Sequence, residues 1–91
     1  MNSNEDIKEI YERASKRLKL FRKYRGLTQE ELSENSTFSR GLIGNIESPK
    51  TDQTFSLAVL YYFALKLDIP IELFVKEDIT EELKELGIKE K

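Results

Sequence analysis

Gly26 stands two residues before Thr28-Gln29-Glu30-Glu31, and this short stretch constrains the fold more than any other feature of the chain. Glycine is the residue that most readily takes the left-handed conformation that closes a helix. Thr-x-x-Glu is a capping box: the threonine oxygen accepts a free backbone N–H, and the glutamate reaches back to the N–H of the cap. One helix must therefore end near Arg25 and another begin at Gln29, with only a tight reversal between them. Two helices joined in this way must cross and pack, which points to an all-α fold.

The same punctuation divides the rest of the chain. Upstream, a helix is expected from about Glu5 to Arg25, capped by Ser3 or Asn4, with Ile7, Ile10, Ala14, Leu18 and Phe21 on one apolar stripe. The helix after the capping box is short, because Asn35-Ser36-Thr37 are poor helix-interior residues. Ser39 supplies the N-cap of a third helix reaching about Glu47, and Ser48 to Thr54 reads as a loop in which Pro49 cannot extend that helix. A fourth helix, about Ser56 to Leu67, is apolar on nearly every side. Pro70 opens a short helix at Ile71 to Val75, and Asp78-Ile79-Thr80-Glu81 starts a last one that carries Ile79, Leu83 and Leu86 on one face and closes at Gly87. The expectation is a compact bundle of about five helices with a helix-turn-helix core and a short C-terminal helix.

Composition narrows the function. The 91 residues contain no cysteine and no histidine, so the commonest nucleophile, general base and metal ligands are missing, and neither an enzyme, a metal nor a cofactor is expected. The first residues, Met1 to Asp6, are polar and acidic, and no apolar run is long enough to span a bilayer, so a cytoplasmic protein without membrane contact is expected. Net charge is −2, yet seven basic residues and no acidic one lie between Arg13 and Arg25 (Arg13, Lys16, Arg17, Lys19, Arg22, Lys23 and Arg25). Such a run fits a solvated helix face as well as an electrostatic footprint.

The second and third helices, with a few residues between them and flanked by the first and fourth, form the arrangement that puts one helix into a DNA major groove. Leu32, Phe38, Ile43 and Ile46 would face the core, and small Ser33 would sit at the close crossing. Leu18-Lys19-Leu20-Phe21-Arg22, Gly26-Leu27-Thr28-Gln29-Glu30-Glu31-Leu32, Phe38-Ser39-Arg40, Ile43, Ile46-Glu47, Ala64-Leu65-Lys66-Leu67-Asp68-Ile69 and Ile71-Glu72-Leu73-Phe74 are all placed to match one pattern. Over Leu18 to Phe74 the chain resembles the phage Cro/repressor-like (XRE) helix-turn-helix family of DNA-binding regulators. The resemblance divides the chain into an extension of the first helix (1–17), a helix-turn-helix DNA-binding domain (18–75) and a short helical tail (76–91).

The resemblance implies a sequence-specific transcriptional regulator, a repressor or controller protein, whose third helix enters the major groove of a palindromic operator. Ser39, Arg40, Gly41, Gly44 and Asn45 would face the bases, Thr28, Gln29 and Lys50 would meet phosphates, and Arg22 would pair with Glu47. Three departures accompany it. Thr37 stands where the family has a turn glycine, Glu47-Ser48-Pro49-Lys50 leads into a longer loop, and Gly41 and Gly44 each cost the recognition helix about 1 kcal/mol relative to alanine. Surplus apolar surface points to a homodimer, with Tyr61, Tyr62, Leu65, Ile79, Leu83 and Leu86 as interface candidates. A second reading stays open: an antitoxin or other protein–protein module that also binds operator DNA through this domain.

Overall fold

The computed structural model describes residues 3–48 and 55–89, with side chains described from Ile7 onward. Its helices are α1 (Ser3–Tyr24), α2 (Gln29–Ser33), α3 (Arg40–Glu47), α4 (Leu57–Leu67), α5 (Glu72–Val75) and α6 (Thr80–Leu86), and no strand occurs among the described residues. None of these helices is long and apolar enough to cross a membrane. The fold is all-α.

The local signals act as helix chemistry requires. Gly26 takes φ +73° after α1. The Thr28 hydroxyl accepts the Glu31 N–H at 3.0 Å while the Thr28 N–H donates to the Glu31 carboxylate at 2.8 Å, so both halves of the capping box form. Ser39 caps α3 by accepting the Leu42 N–H, and Ser56 caps α4 by accepting the Val59 N–H, each at 3.1 Å. Gly87 closes α6 in the left-handed region at φ +76°.

The core is built around three fully buried phenylalanines, Phe21, Phe63 and Phe74. Phe21 and Phe74 meet edge to face at 5.2 Å, tying α1 to α5, and half-buried Phe38 packs against both Tyr62 and Phe63 of α4. Each such ring contributes roughly 1.5–3 kcal/mol by burial. Ala14, Leu18, Leu32, Ile43 and Ile46 complete the same cluster.

Two expectations are corrected, and the turn that departs from the family's pattern is resolved. Ile7 and Ile10 share the apolar stripe of α1 but stay exposed, because α1 runs on past the helices that cover its middle. Ile79 and Leu83 are buried in the protomer's own core and Leu86 is half-buried against it, so α6 belongs to the domain and Ile79 and Leu83 are not available to a partner. The turn between α2 and α3 takes its positive φ at Asn35 (+59°), not at Thr37: α2 ends at Ser33, and Asn35 is the residue that turns the chain after its cap. Asparagine tolerates this region better than most residues, whereas a β-branched threonine avoids it.

The arginines of the basic run make hydrogen bonds to the chain, although only Arg17 and Arg22 are buried. Arg17 is buried and its guanidinium donates to the carbonyls of Leu73 (2.9 Å), Lys76 (2.6 Å) and Glu77 (2.9 Å), at and beyond the C-terminus of α5. Arg13 donates to the Val75 carbonyl at 2.9 Å. Arg25 reaches the carbonyls of Leu67 (2.7 Å) and Asp68 (3.1 Å), where α4 ends. The carbonyls at a helix C-terminus lack intrahelical donors, and these arginines supply them.

Two outcomes are expected. Arg17→Met should lower the free energy of urea unfolding by about 2–4 kcal/mol, since it strips charged donors from several carbonyls at once. An Arg17→Met protein as stable as wild type would show that those bonds contribute nothing net. Separately, Thr37→Gly should cost about 0.5–1 kcal/mol, through added freedom of the unfolded chain, while Asn35→Gly should be neutral or stabilising. The reverse order in the same urea titrations would place the left-handed residue at Thr37.

Candidate nucleic-acid interface

α3 has two faces with different chemistry. Ile43 and Ile46 are buried against the core, and Glu47 is buried beside them. On the other side Arg40, Gly41 and Asn45 are exposed, as is the capping residue Ser39. Positions 41 and 45 are one helical turn apart and share a face, with Arg40 at the first position of the helix. The outward surface therefore carries one guanidinium, one amide and one hydroxyl, and no carboxylate. Those groups suit the acceptor edge of guanine and the mixed edge of adenine.

Glu47 would place a negative charge at this helix, but Arg22 neutralises it. The Arg22 Nε donates to Glu47 Oε2 and its Nη2 to Oε1, both at 2.8 Å, forming a bidentate pair with both side chains almost fully buried. The third guanidinium nitrogen donates to the Leu27 carbonyl at 2.6 Å. The hydrogen bonding with Glu47 raises the Arg22 pKa above its ordinary value. The pair implied by the resemblance is thus formed, and it ties α1, the turn before α2 and α3 together.

Gln29 is held by the same group: its Nε2 donates to Glu47 Oε1 at 3.1 Å. A Cβ added at Gly44 would lie only 3.3 Å from the Gln29 Oε1, so the amide crosses α3 directly above that glycine. Gly44 is half-buried under its own chain. Gly41 differs, because a Cβ there would meet nothing closer than the Ser39 hydroxyl at 3.6 Å. The two glycines that look alike in sequence have different surroundings.

At the start of α2, Thr28 is exposed and Gln29 half-buried. The Glu31 carboxyl is held below its ordinary value by the Thr28 backbone N–H and then by the Thr28 hydroxyl. Lys50 lies outside the described residues. Lys16, Lys19 and Lys23 are the members of the basic run that remain fully exposed without an arginine's inward bonds. Of the dimer candidates, Tyr61 and Leu65 are exposed, whereas Tyr62 is half-buried and packs edge to face with Phe38 and Phe63.

Reading the sequence by charge runs missed the inward role of Arg13, Arg17 and Arg25. A signal existed for Arg17: it sits three residues after Ala14 and four before Phe21, inside the apolar stripe rather than opposite it.

The glycine geometry yields a direct test by urea unfolding. Gly41→Ala should stabilise the fold by roughly 0.5 kcal/mol, because the methyl enters open space and helix propensity improves. Gly44→Ala should gain less or lose stability, since its methyl pushes Gln29 away from Glu47. Equal gains would mean that Gln29 does not press on α3.

Comparison of the chain with protein-family models, with curated proteins and with solved structures found no match.

Proposed function

We propose that this chain is a sequence-specific double-stranded DNA-binding transcriptional regulator, acting in the cytoplasm, that inserts α3 into the major groove and performs no catalysis. The observation that carries the reading is the division of α3: an inner face locked by Ile43, Ile46 and the Arg22–Glu47 pair, and an outer face of Ser39, Arg40, Gly41 and Asn45 turned to solvent. A helix read by DNA needs both a fixed orientation and an exposed polar surface. Arg40 has no hydrogen bond or ion pair to the rest of the described chain, so its fork is available to a base. The resemblance of residues 18–74 to Cro/repressor-like regulators supports the same reading.

In this reading Arg40 and Asn45 read base edges, Ser39 adjoins them, and the smallness of Gly41 lets the helix approach closely. Thr28 and Gln29 flank the groove where a phosphate would pass, and the resemblance assigns a phosphate contact to Lys50 as well. The one amide N–H that Gln29 gives to Glu47 holds it in place and leaves its second N–H for a phosphate oxygen. A toxin-neutralising tail would need a segment free to wrap a partner. Ile79 and Leu83 are buried instead, which favours the regulator.

The experiment is selection of bound sequences from random duplex DNA, followed by binding titrations of variants on the winning site. Arg40→Ala should weaken that site by about 1–3 kcal/mol and flatten the preference at one base pair, leaving non-specific binding largely intact. Lys50→Ala should instead weaken all duplexes alike and reduce the salt dependence by about one ion per chain. Failure of the wild type to enrich any sequence, or wild-type affinity and preference in Arg40→Ala, would sink the assignment of α3.

A further inference from the structure

The side chain of Gln29, the first residue of α2, ends in an amide of which the chain uses one half. Its Nε2 donates to Glu47 Oε1 at 3.1 Å. Both oxygens of Glu47 are acceptors, already engaged by Nε and Nη2 of Arg22, so only the nitrogen end of the amide can face the carboxylate. The polarity of the amide is therefore fixed, because a flip would set oxygen against oxygen. The carbonyl oxygen, Gln29 Oε1, accepts no hydrogen bond from the chain. Since no buried side-chain nitrogen or oxygen among the described residues lacks a partner, this oxygen is open to solvent.

Gly44 determines where that oxygen sits. A Cβ at Gly44 would meet Gln29 Oε1 first, at 3.3 Å, and then the amide carbon and Nε2 at 3.9 and 4.0 Å. The carbonyl thus lies where a side chain of position 44 would begin. On a helix of 3.6 residues per turn, position 44 falls between positions 40 and 41 in azimuth and one turn further along. Arg40 and Gly41 are exposed on the outer face. α3 has no side chain of its own at this point, and α2 supplies one.

We propose that Gln29 reads a base: its Oε1 accepts a hydrogen bond from an exocyclic amino group in the major groove, adenine N6 or cytosine N4, at a base pair other than the one Arg40 contacts. This rests on the reading of α3 as the recognition helix and deepens it. Adenine and cytosine offer an N–H in the major groove, whereas guanine O6 and thymine O4 are acceptors. An acceptor of fixed polarity attracts the first two and repels the second two, so an amino base is preferred to a keto base on the contacted strand. The second N–H of Nε2 keeps its phosphate role, and the two ends of the amide have separate partners. Arg40 is a donor only, and Gln29 brings beside it the acceptor that a guanidinium lacks.

The test compares base preferences of the wild type, Gln29→Ala and Gly44→Ala, selected on random duplex DNA after circular dichroism has shown each variant folded. Gln29→Ala should flatten an A-or-C preference at one base pair and leave the pair read by Arg40 as it was. Gly44→Ala, whose methyl displaces Oε1, should flatten the same pair and add nothing in the Gln29→Ala background. Deleting the amino group at that pair, with purine for adenine or 2-pyrimidinone for cytosine, should weaken the wild type ~3–10-fold and Gln29→Ala not at all. A Gln29→Ala protein that weakens all duplexes alike with an unchanged profile overturns the proposal and leaves Gln29 a phosphate contact only. A Gly44→Ala effect that persists in full without Gln29 also overturns it. So does a wild type indifferent to amino-group deletion at every adenine and cytosine of its site, whatever the variants do. In those three cases a preference lost on Arg40→Ala keeps the regulator reading standing, whereas a wild type that enriches no sequence removes both.

Discussion

The orientation of α3 depends on one guanidinium. Hydrophobic burial of Ile43 and Ile46 holds the helix against the domain, but apolar contact is not directional, and a helix can rotate or slide on it at little cost. Arg22 supplies the direction. Its three nitrogens bond two oxygens of Glu47 and the carbonyl of Leu27, and Glu47 in turn accepts Gln29. A misplacement of about an ångström would leave buried charges without partners. Removing one member of such a pair commonly costs about 3–5 kcal/mol, whereas apolar isosteres often hold a fold equally well. The pair is therefore better understood as fixing geometry than as adding stability. No buried side-chain nitrogen or oxygen among the described residues lacks a hydrogen-bond partner.

The C-terminal half is organised by the same residue type in a different role. α5 has four residues, too few to persist alone. Arg13 and Arg17 bind the carbonyls at its exit, and Arg25 binds those at the end of α4, so α1 secures the ends of two later helices. Arginine suits this because its fork reaches several acceptors in fixed directions, where an ammonium is a single point. The run between Arg13 and Arg25 divides accordingly: its four arginines bond inward, and its three lysines are exposed. Part of the apparent basic surface is thus internal structure: Arg17 and Arg22 are buried. Counting charge along the chain overstates what α1 offers to a polyanion.

What could be read in advance followed from the range of the interaction. Caps are local, and Thr28 with Glu31, Ser39, Ser56 and Gly87 lie where their residue types place them. The inner face of α3 was legible for the same reason, since helical periodicity alone separates Ile43 and Ile46 from Gly41 and Asn45. Non-local facts were not legible. Ile7 and Ile10 continue the α1 stripe faultlessly, and only the placement of the other helices determines that about half of each stays exposed. The positive φ falls on Asn35, and asparagine one residue past a helix cap is itself a signal for it. Ile79 and Leu83 formed a convincing stripe for a partner. The core that receives them is assembled from distant parts of the chain.

Two glycines in an eight-residue helix need a reason, because each weakens it and α3 has little length over which to recover the loss. For Gly44 the reason is internal. The Gln29 amide lies across that position on its way to Glu47, and a methyl group would have to displace it. Gly44 thus belongs to the polar network centred on Arg22, and the propensity it forfeits is offset by the hydrogen bond it permits. Gly41 has no such explanation among the described residues: a Cβ there would make only ordinary contact with the Ser39 hydroxyl at 3.6 Å. A residue that weakens the helix without easing any internal contact is best accounted for by something outside the protomer. Under the proposed reading that object is the floor of the major groove, which a helix bare at its first turn can approach more closely, bringing Arg40 beside it within reach of a base.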